Sequence, residues 1–148
     1  MRIRKSRRTP EILRQQLVGS ARKYLGKPYK YGAKLYHAPA YFDCSSFVKF
    51  LYRKVGIDLP RPSIRMAEEG RTVQKKIKAL RPGDILYFRG MQGRYNLKFP
   101  QGIGHVAIYI GDSKAIHAKW KVGGGTVMEE NAKNLLLRKD LIIIKRIL

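Results

Sequence analysis

Asp43-Cys44-Ser45-Ser46-Phe47-Val48 places the chain's only cysteine where a loop turns into a helix. Asp43 is an N-cap by type, with a carboxylate suited to accept from a first-turn N–H. Phe47, Phe50, Leu51 and Val55 then recur on one face until Gly56 stops the pattern, so a helix over 43–55 is expected with Cys44 in its first turn. There the sulfur feels the positive end of the backbone dipole and nearby unpaired N–H groups. Both favour thiolate over thiol, and a partly ionised, readily alkylated cysteine is expected.

Downstream, His105 and His117 each lie inside an apolar, strand-like run. An imidazole is the usual base for activating a sulfur. A buried cysteine is ordinarily a small hydrophobe and a strand histidine ordinarily a satisfied core residue. Only the combination of Asp-Cys-Ser at a helix start with two histidines on successive strands points to chemistry. Zinc is disfavoured, because structural sites show two close ligand pairs and catalytic ones a short-spaced pair plus a third ligand. Neither a metal nor a cofactor is expected.

On the N-terminal side, Thr9 is a cap, Pro10 suits a first helical position, and Leu13, Leu17, Ala21, Tyr24 and Leu25 recur at helical spacing until Gly26 and Pro28. Residues 27–42 form a loop carrying Tyr29, Tyr31, Tyr36 and Tyr41; His37 lies in it without a supporting partner. After Leu59-Pro60-Arg61-Pro62, Ser63 is read as the cap of a short helix ending near Gly70. Strands follow at Ile85–Phe88, His105–Ile110, 115–118, 126–128 and 141–148. Helices first and strands after predict an α+β domain whose N-terminal helices pack on a mainly antiparallel sheet of five to six strands. Residues 89–103, with Gly90, Gly93, Gly102 and three basic side chains, read as a long basic loop, either bordering a groove or an inert insertion.

The 148 residues fit one domain over 9–148, preceded by a basic arm over 1–8. That arm has the charge of a signal-peptide start but lacks the apolar stretch after it, so export, removal of a leader and a cytoplasmic location stay open. A single cysteine excludes an internal disulfide, and no run of about 18 apolar residues is present to span a membrane. Against 10 acidic residues stand 32 Lys and Arg, a net charge of +22. Such a field attracts polyanions, whether nucleic acid, acidic membrane or anionic wall polymer.

From about Leu25 onward the chain resembles the NlpC family of papain-like cell-wall peptidases. Gly26-Lys27-Pro28-Tyr29-Lys30-Tyr31-Gly32 is similar to the family's tyrosine loop and Asp43 to Val48 to its nucleophile turn. Leu59 to Ser63 resembles the segment after the catalytic helix. Leu80 to Phe88 is similar to the first sheet strand, and Gly104 to Gly111 to the strand bearing the base. Cysteine first and histidine much later is also the chain order of papain-like hydrolases.

The resemblance implies a papain-like fold and thiolate attack on a peptidoglycan stem-peptide amide, typically between γ-D-glutamyl and a diamino acid. Cys44 is then the nucleophile, His105 the general base and acid, and His117 the group that orients His105. The Cys44 N–H is a natural oxyanion donor. The resemblance adds Tyr29, Asp43 and Ser45 as substrate contacts. It departs at Ser46, where the family usually has glycine, and in the length of the loops before Cys44 and over 89–103. Expected partners are stem peptides and anionic wall polymer, for a monomer in the cell envelope or secreted. Two alternatives stay open: a non-catalytic polyanion-binding protein, with nucleic acid as ligand, on a hydrolase scaffold; and a thiol amidase or acyltransferase with another substrate.

Overall fold

Thr9 starts the first helix as its side-chain type predicts, its hydroxyl accepting from Ile12 N at 3.2 Å, and α1 runs Pro10–Lys23 with Leu17 and Ala21 buried. The computed structural model describes residues 8–91 and 93–148; apart from Arg8, the basic arm lies outside them. Helix α2 covers Cys44–Arg53 behind its N-cap Asp43. The third helix is shorter than expected and differently capped. Pro62 is the N-cap of α3 (Ser63–Met66), and Ser63 is its first helical residue.

Six strands follow: β1 (Arg71–Thr72), β2 (Ile85–Phe88), β3 (His105–Gly111), β4 (Lys114–Lys119), β5 (Thr126–Asn131) and β6 (Leu141–Arg146). They form one sheet in the order β1-β6-β2-β3-β4-β5, antiparallel at every neighbouring pair. The expected α+β class and sheet type are those observed. Four short elements lay outside the expectation: β1, two exposed residues with no alternation to read; α4 (Ala132–Leu136), one turn that begins at the cap Asn131; and single 3₁₀ turns at Leu35–His37 and Ile77–Ala79.

Side chains alternate across the sheet. Val106, Ile108, Ile116 and Val127 share a core with α1 and α2, while Leu86, Phe88, Ala107 and Ala115 share one with Leu135 of α4. Because both faces of β2 to β4 are covered, these strands read as nearly continuous apolar runs. The turn before β2 is held by a buried pair. Arg146 Nε and Nη2 donate to the two carboxylate oxygens of Asp84 at 2.8 and 2.7 Å, tying the start of β2 to the end of β6.

Candidate active site

Cys44 is the first helical residue of α2, and bonds reaching three residues along the chain set its position. Ser46 N donates to Asp43 Oδ1 at 2.8 Å while Asp43 N donates to Ser46 Oγ at 2.9 Å, a reciprocal cap. Ser46, the departure from the family's glycine, is fully buried and closes this cap. Arg61 braces the turn from outside: Nη2 donates to Asp43 Oδ2 at 2.7 Å, Nε to Ser45 Oγ at 3.0 Å and Nη1 to the Ala33 carbonyl at 3.1 Å. The turn that carries Cys44 and the tyrosine loop are thus fastened together by one guanidinium. Tyr29 is fixed from its backbone, its N–H donating to Gly125 O at 2.8 Å.

The sulfur meets β3 through backbone. Cys44 Sγ donates to the Gly104 carbonyl at 3.8 Å, directly before His105, and no hydrogen bond joins Sγ to the His105 ring. Alternation explains why. His105 falls on the face of Ala107 and Tyr109, opposite the Val106 and Ile108 face covered by α2, so the sulfur meets the strand at its backbone start and not at the ring.

Register places the two histidines and a carboxylate on one diagonal. The β3–β4 pairing of Ile108 with Ile116 and the β4–β5 pairing of His117 with Met128 put His105, His117 and Glu130 on the same face, each displaced by two residues from a direct partner. Their side chains join. His105 Nε2 lies 2.7 Å from His117 Nδ1, and His117 Nε2 lies 2.8 Å from Glu130 Oε1. His117 is fully buried with both ring nitrogens engaged. Its hydrogen bond holds the Glu130 carboxyl down at about 2, with help from Lys119, so Glu130 is an acceptor and His117 Nε2 carries a hydrogen. Two proton arrangements then fit the chain. Only the one in which His117 Nδ1 accepts from His105 Nε2–H leaves His105 Nδ1 bare and able to take a proton.

The charge state of the sulfur corrects the expectation of an ionised thiol. Burial pushes Cys44 up to about 12, and the Asp43 carboxylate adds to the rise; the backbone N–H groups of Val106 and Ser45 and the Arg61 guanidinium oppose it without prevailing. Burial also brings His105 down to about 3, with His117, Arg138 and Lys119 contributing. At rest both groups are neutral. The Tyr29 hydroxyl, pushed up to about 12 by burial and then by Cys44 and Asp43, remains a protonated donor beside them.

Two open lobes flank the site. The first, of about 470 Å³, is lined by Cys44, Asp43, Ser45, Arg61 and Arg94 among others; the second, of about 420 Å³, by His105, Met91, Lys119, Trp120 and Arg138, and the two share Tyr29, Tyr31 and Gly104. The loop over 89–103 borders both through Arg94, Gly90 and Met91. His37 stands apart: its Nδ1 accepts from Lys34 N at 3.0 Å, and its ring meets Tyr36 edge-on and lies tilted against Tyr41. Among the described residues no group of three or more His, Cys, Asp or Glu is arranged to hold a metal ion. No helix among them is long and apolar enough to cross a membrane.

The NlpC/P60 family model matches residues 26–146. The chain belongs to that family. It is 36% identical over 103 residues to the probable endopeptidase p60 of Listeria innocua, covering 70% of this chain and 19% of that protein. To the gamma-D-glutamyl-L-lysine dipeptidyl-peptidase of Bacillus cereus it is 32% identical over 109 residues, 74% of this chain and 29% of that one. The chain therefore spans less than a third of the length of these relatives. Among solved structures, the NlpC/p60 domain of the peptidoglycan hydrolase SagA superposes with a TM-score of 0.67 at 28% identity, covering 90% of this chain and 97% of that domain.

Of the residues bonded to the predicted site residues, sequence reasoning missed Glu130 and Arg61. Glu130 was findable only through register, since it lies two residues beyond the direct β5 partner of His117. Arg61 stood in a quoted motif, but nothing in its spacing points to Asp43.

Proposed function

We propose that the protein is a cysteine endopeptidase that cleaves a stem-peptide amide of peptidoglycan, between γ-D-glutamyl and a diamino acid. The observation that carries this reading is the chain His105–His117–Glu130 beginning at the residue after Gly104, whose carbonyl accepts from Cys44 Sγ, where two open lobes meet. The names of the relatives, a γ-D-glutamyl-L-lysine dipeptidyl-peptidase among them, support the substrate class.

In this mechanism His105 Nδ1 takes the Cys44 proton as the sulfur bonds to the amide carbon. Neutral partners suit the step, because each charge is created only with its opposite beside it. The Cys44 N–H, left without an intrahelical acceptor at the start of α2, faces the developing oxyanion, with the Tyr29 hydroxyl available as a further donor. The C–N bond breaks as His105 returns the proton to the leaving nitrogen, and water then hydrolyses the thioester by the same base. Asp43, Ser45 and Tyr29, in the lobe of Cys44, contact the acyl half.

The surplus of cations favours a location in the cell envelope, held on anionic wall polymer. Mass analysis of muropeptides released from purified wall tests the reading. Release of the γ-D-glutamyl fragment by wild type and not by Cys44→Ala is expected; equal release removes the enzyme. The same charge supports a second reading, nucleic-acid binding. Affinity for DNA or RNA that survives about 0.2 M salt, where purely electrostatic binding falls steeply, favours it.

A further inference from the structure

Four of the large apolar side chains that the fold leaves in water gather at one face. Val122 is 89% exposed, Met91 89%, Leu137 82% and Trp120 54%. They stand on three loops whose backbone is held in place. In the β4–β5 hairpin Gly124 N donates to Lys121 O at 3.0 Å, which puts Val122 at the apex of a turn, and the Gly125 carbonyl ties that turn back to Tyr29. Asp140 fastens the other two loops together. Its carbonyl accepts from Arg89 N at 2.8 Å and its Oδ2 from Gly90 N at 3.2 Å, so Met91 is rooted beside the turn that carries Leu137. Leu135 seats α4 on the sheet, and Leu137, two residues on, is left outside. Met91, Trp120 and Arg138 line a single hollow, which joins the three loops.

The charge around these tips is of one sign. Lys119 and Lys121 flank Trp120, Lys139 follows Leu137 closely and Arg89 precedes Met91, whereas 89–103, 119–125 and 132–139 contain no Asp or Glu. Lys119 and Arg138 meet Glu130 and Asp140 on the protein side; Arg89, Lys121 and Lys139 are exposed and form no ion pair among the described residues. This composition narrows the partner. The cores of protein interfaces are depleted in lysine, and a nucleic acid or soluble wall polymer would use the cations and leave the apolar tips in water. Apolar tips backed by cations match an anionic bilayer, where tryptophan and aliphatic groups enter the headgroup layer while Lys and Arg stay with the phosphates.

We propose that this face docks on a membrane of anionic phospholipid, with Met91, Trp120, Val122 and Leu137 entering the headgroup layer and Arg89, Lys121 and Lys139 meeting its phosphates. The second lobe, with His105 in its lining, then opens toward the bilayer. The docking does not depend on the chemistry proposed for Cys44.

Trp120 is the only tryptophan in the chain, so its emission reads this face directly. With vesicles of equal parts phosphatidylglycerol and phosphatidylcholine, the wild-type protein should co-sediment and its emission should shift to the blue as the indole leaves water; with phosphatidylcholine alone neither should happen. Val122→Ser/Leu137→Ser keeps the charge and should weaken vesicle binding on the order of tenfold, while heparin, a soluble polyanion, binds it as it binds wild type. Lys121→Glu/Lys139→Glu should weaken vesicle binding by at least as much. No sedimentation, or sedimentation with the emission unmoved, overturns the proposal. So does equal vesicle binding by wild type and Val122→Ser/Leu137→Ser, the result expected of a polyanion site that uses charge alone. Parallel loss of heparin and vesicle binding in that variant overturns the part given to the apolar tips.

Discussion

The first turn of α2 is held by bonds between residues three apart, Asp43 with Ser46, whereas His105, His117 and Glu130 sit on three strands and meet only through sheet register. The helix start presents its group at the cost of desolvating it: Cys44 is pushed up to about 12 by burial and by the carboxylate that caps its own helix. The sheet diagonal instead ends on a carboxylate held down at about 2, a fixed acceptor that aligns the two rings. A cap can place a nucleophile, but the charge that makes the cap strong works against the thiolate. In the proposed mechanism activation therefore falls to the strand side, where the proton acceptor is prepared.

The largest expected effect comes from removing the end of that diagonal. Glu130→Leu, which leaves His117 Nε2–H without an acceptor, should lower kcat on the order of a thousandfold through loss of the tautomer. Glu130→Gln can keep an oxygen toward His117 Nε2 and should lose far less; equal losses in the two variants contradict a tautomer role. Next comes the strand start. A Cβ at Gly104 would lie 2.6 Å from Gly93 N and 2.7 Å from Arg89 O, both backbone, so Gly104→Ala must displace the residue that touches the sulfur and precedes His105. A shift near 1 Å costs roughly a hundredfold in kcat, and a variant within threefold of wild type breaks the link between backbone and base.

On the helix side the expected change is smaller and of opposite sign. Asp43→Asn keeps a cap but removes the carboxylate charge that raises Cys44, so iodoacetamide alkylation should shift to lower pH and quicken roughly three- to tenfold at pH 8. An unchanged profile would falsify the opposition between capping and ionisation. The smallest effect is on stability. His105 is held near 3 when folded against about 6.5 unfolded, so the unfolded chain takes up the proton first as pH falls. Its contribution is complete above pH 6.5 and is lost between there and about pH 3. The Tm should therefore decline by several degrees across that window, and His105→Asn should flatten the decline.

The same contrast governs what was legible in the sequence. The Asp43 cap, the apolar face behind Cys44 and the Thr9–Pro10 helix start are local patterns, and each appears where its spacing places it. The strands were recognisable because β2 to β4 are covered on both faces. Ser63 was misread because a serine after proline suits a cap by type, while the chain turns into the helix one residue earlier, at Pro62. Glu130 and Arg61 were invisible for a common reason: each acts across a tertiary gap, one set by β4–β5 register and the other by how a loop folds back on a helix start. The thiol was misjudged because helix position was weighed without burial.

Histidine-detected ¹⁵N correlation spectroscopy of the unliganded protein at pH 7 reads the proton arrangement itself, and with three histidines in the chain the spectrum is simple. The account requires His105 and His117 both to carry hydrogen on Nε2, with His105 Nδ1 bare and ready to accept from Cys44. A hydrogen on His105 Nδ1, as imidazolium or as the other tautomer, contradicts it.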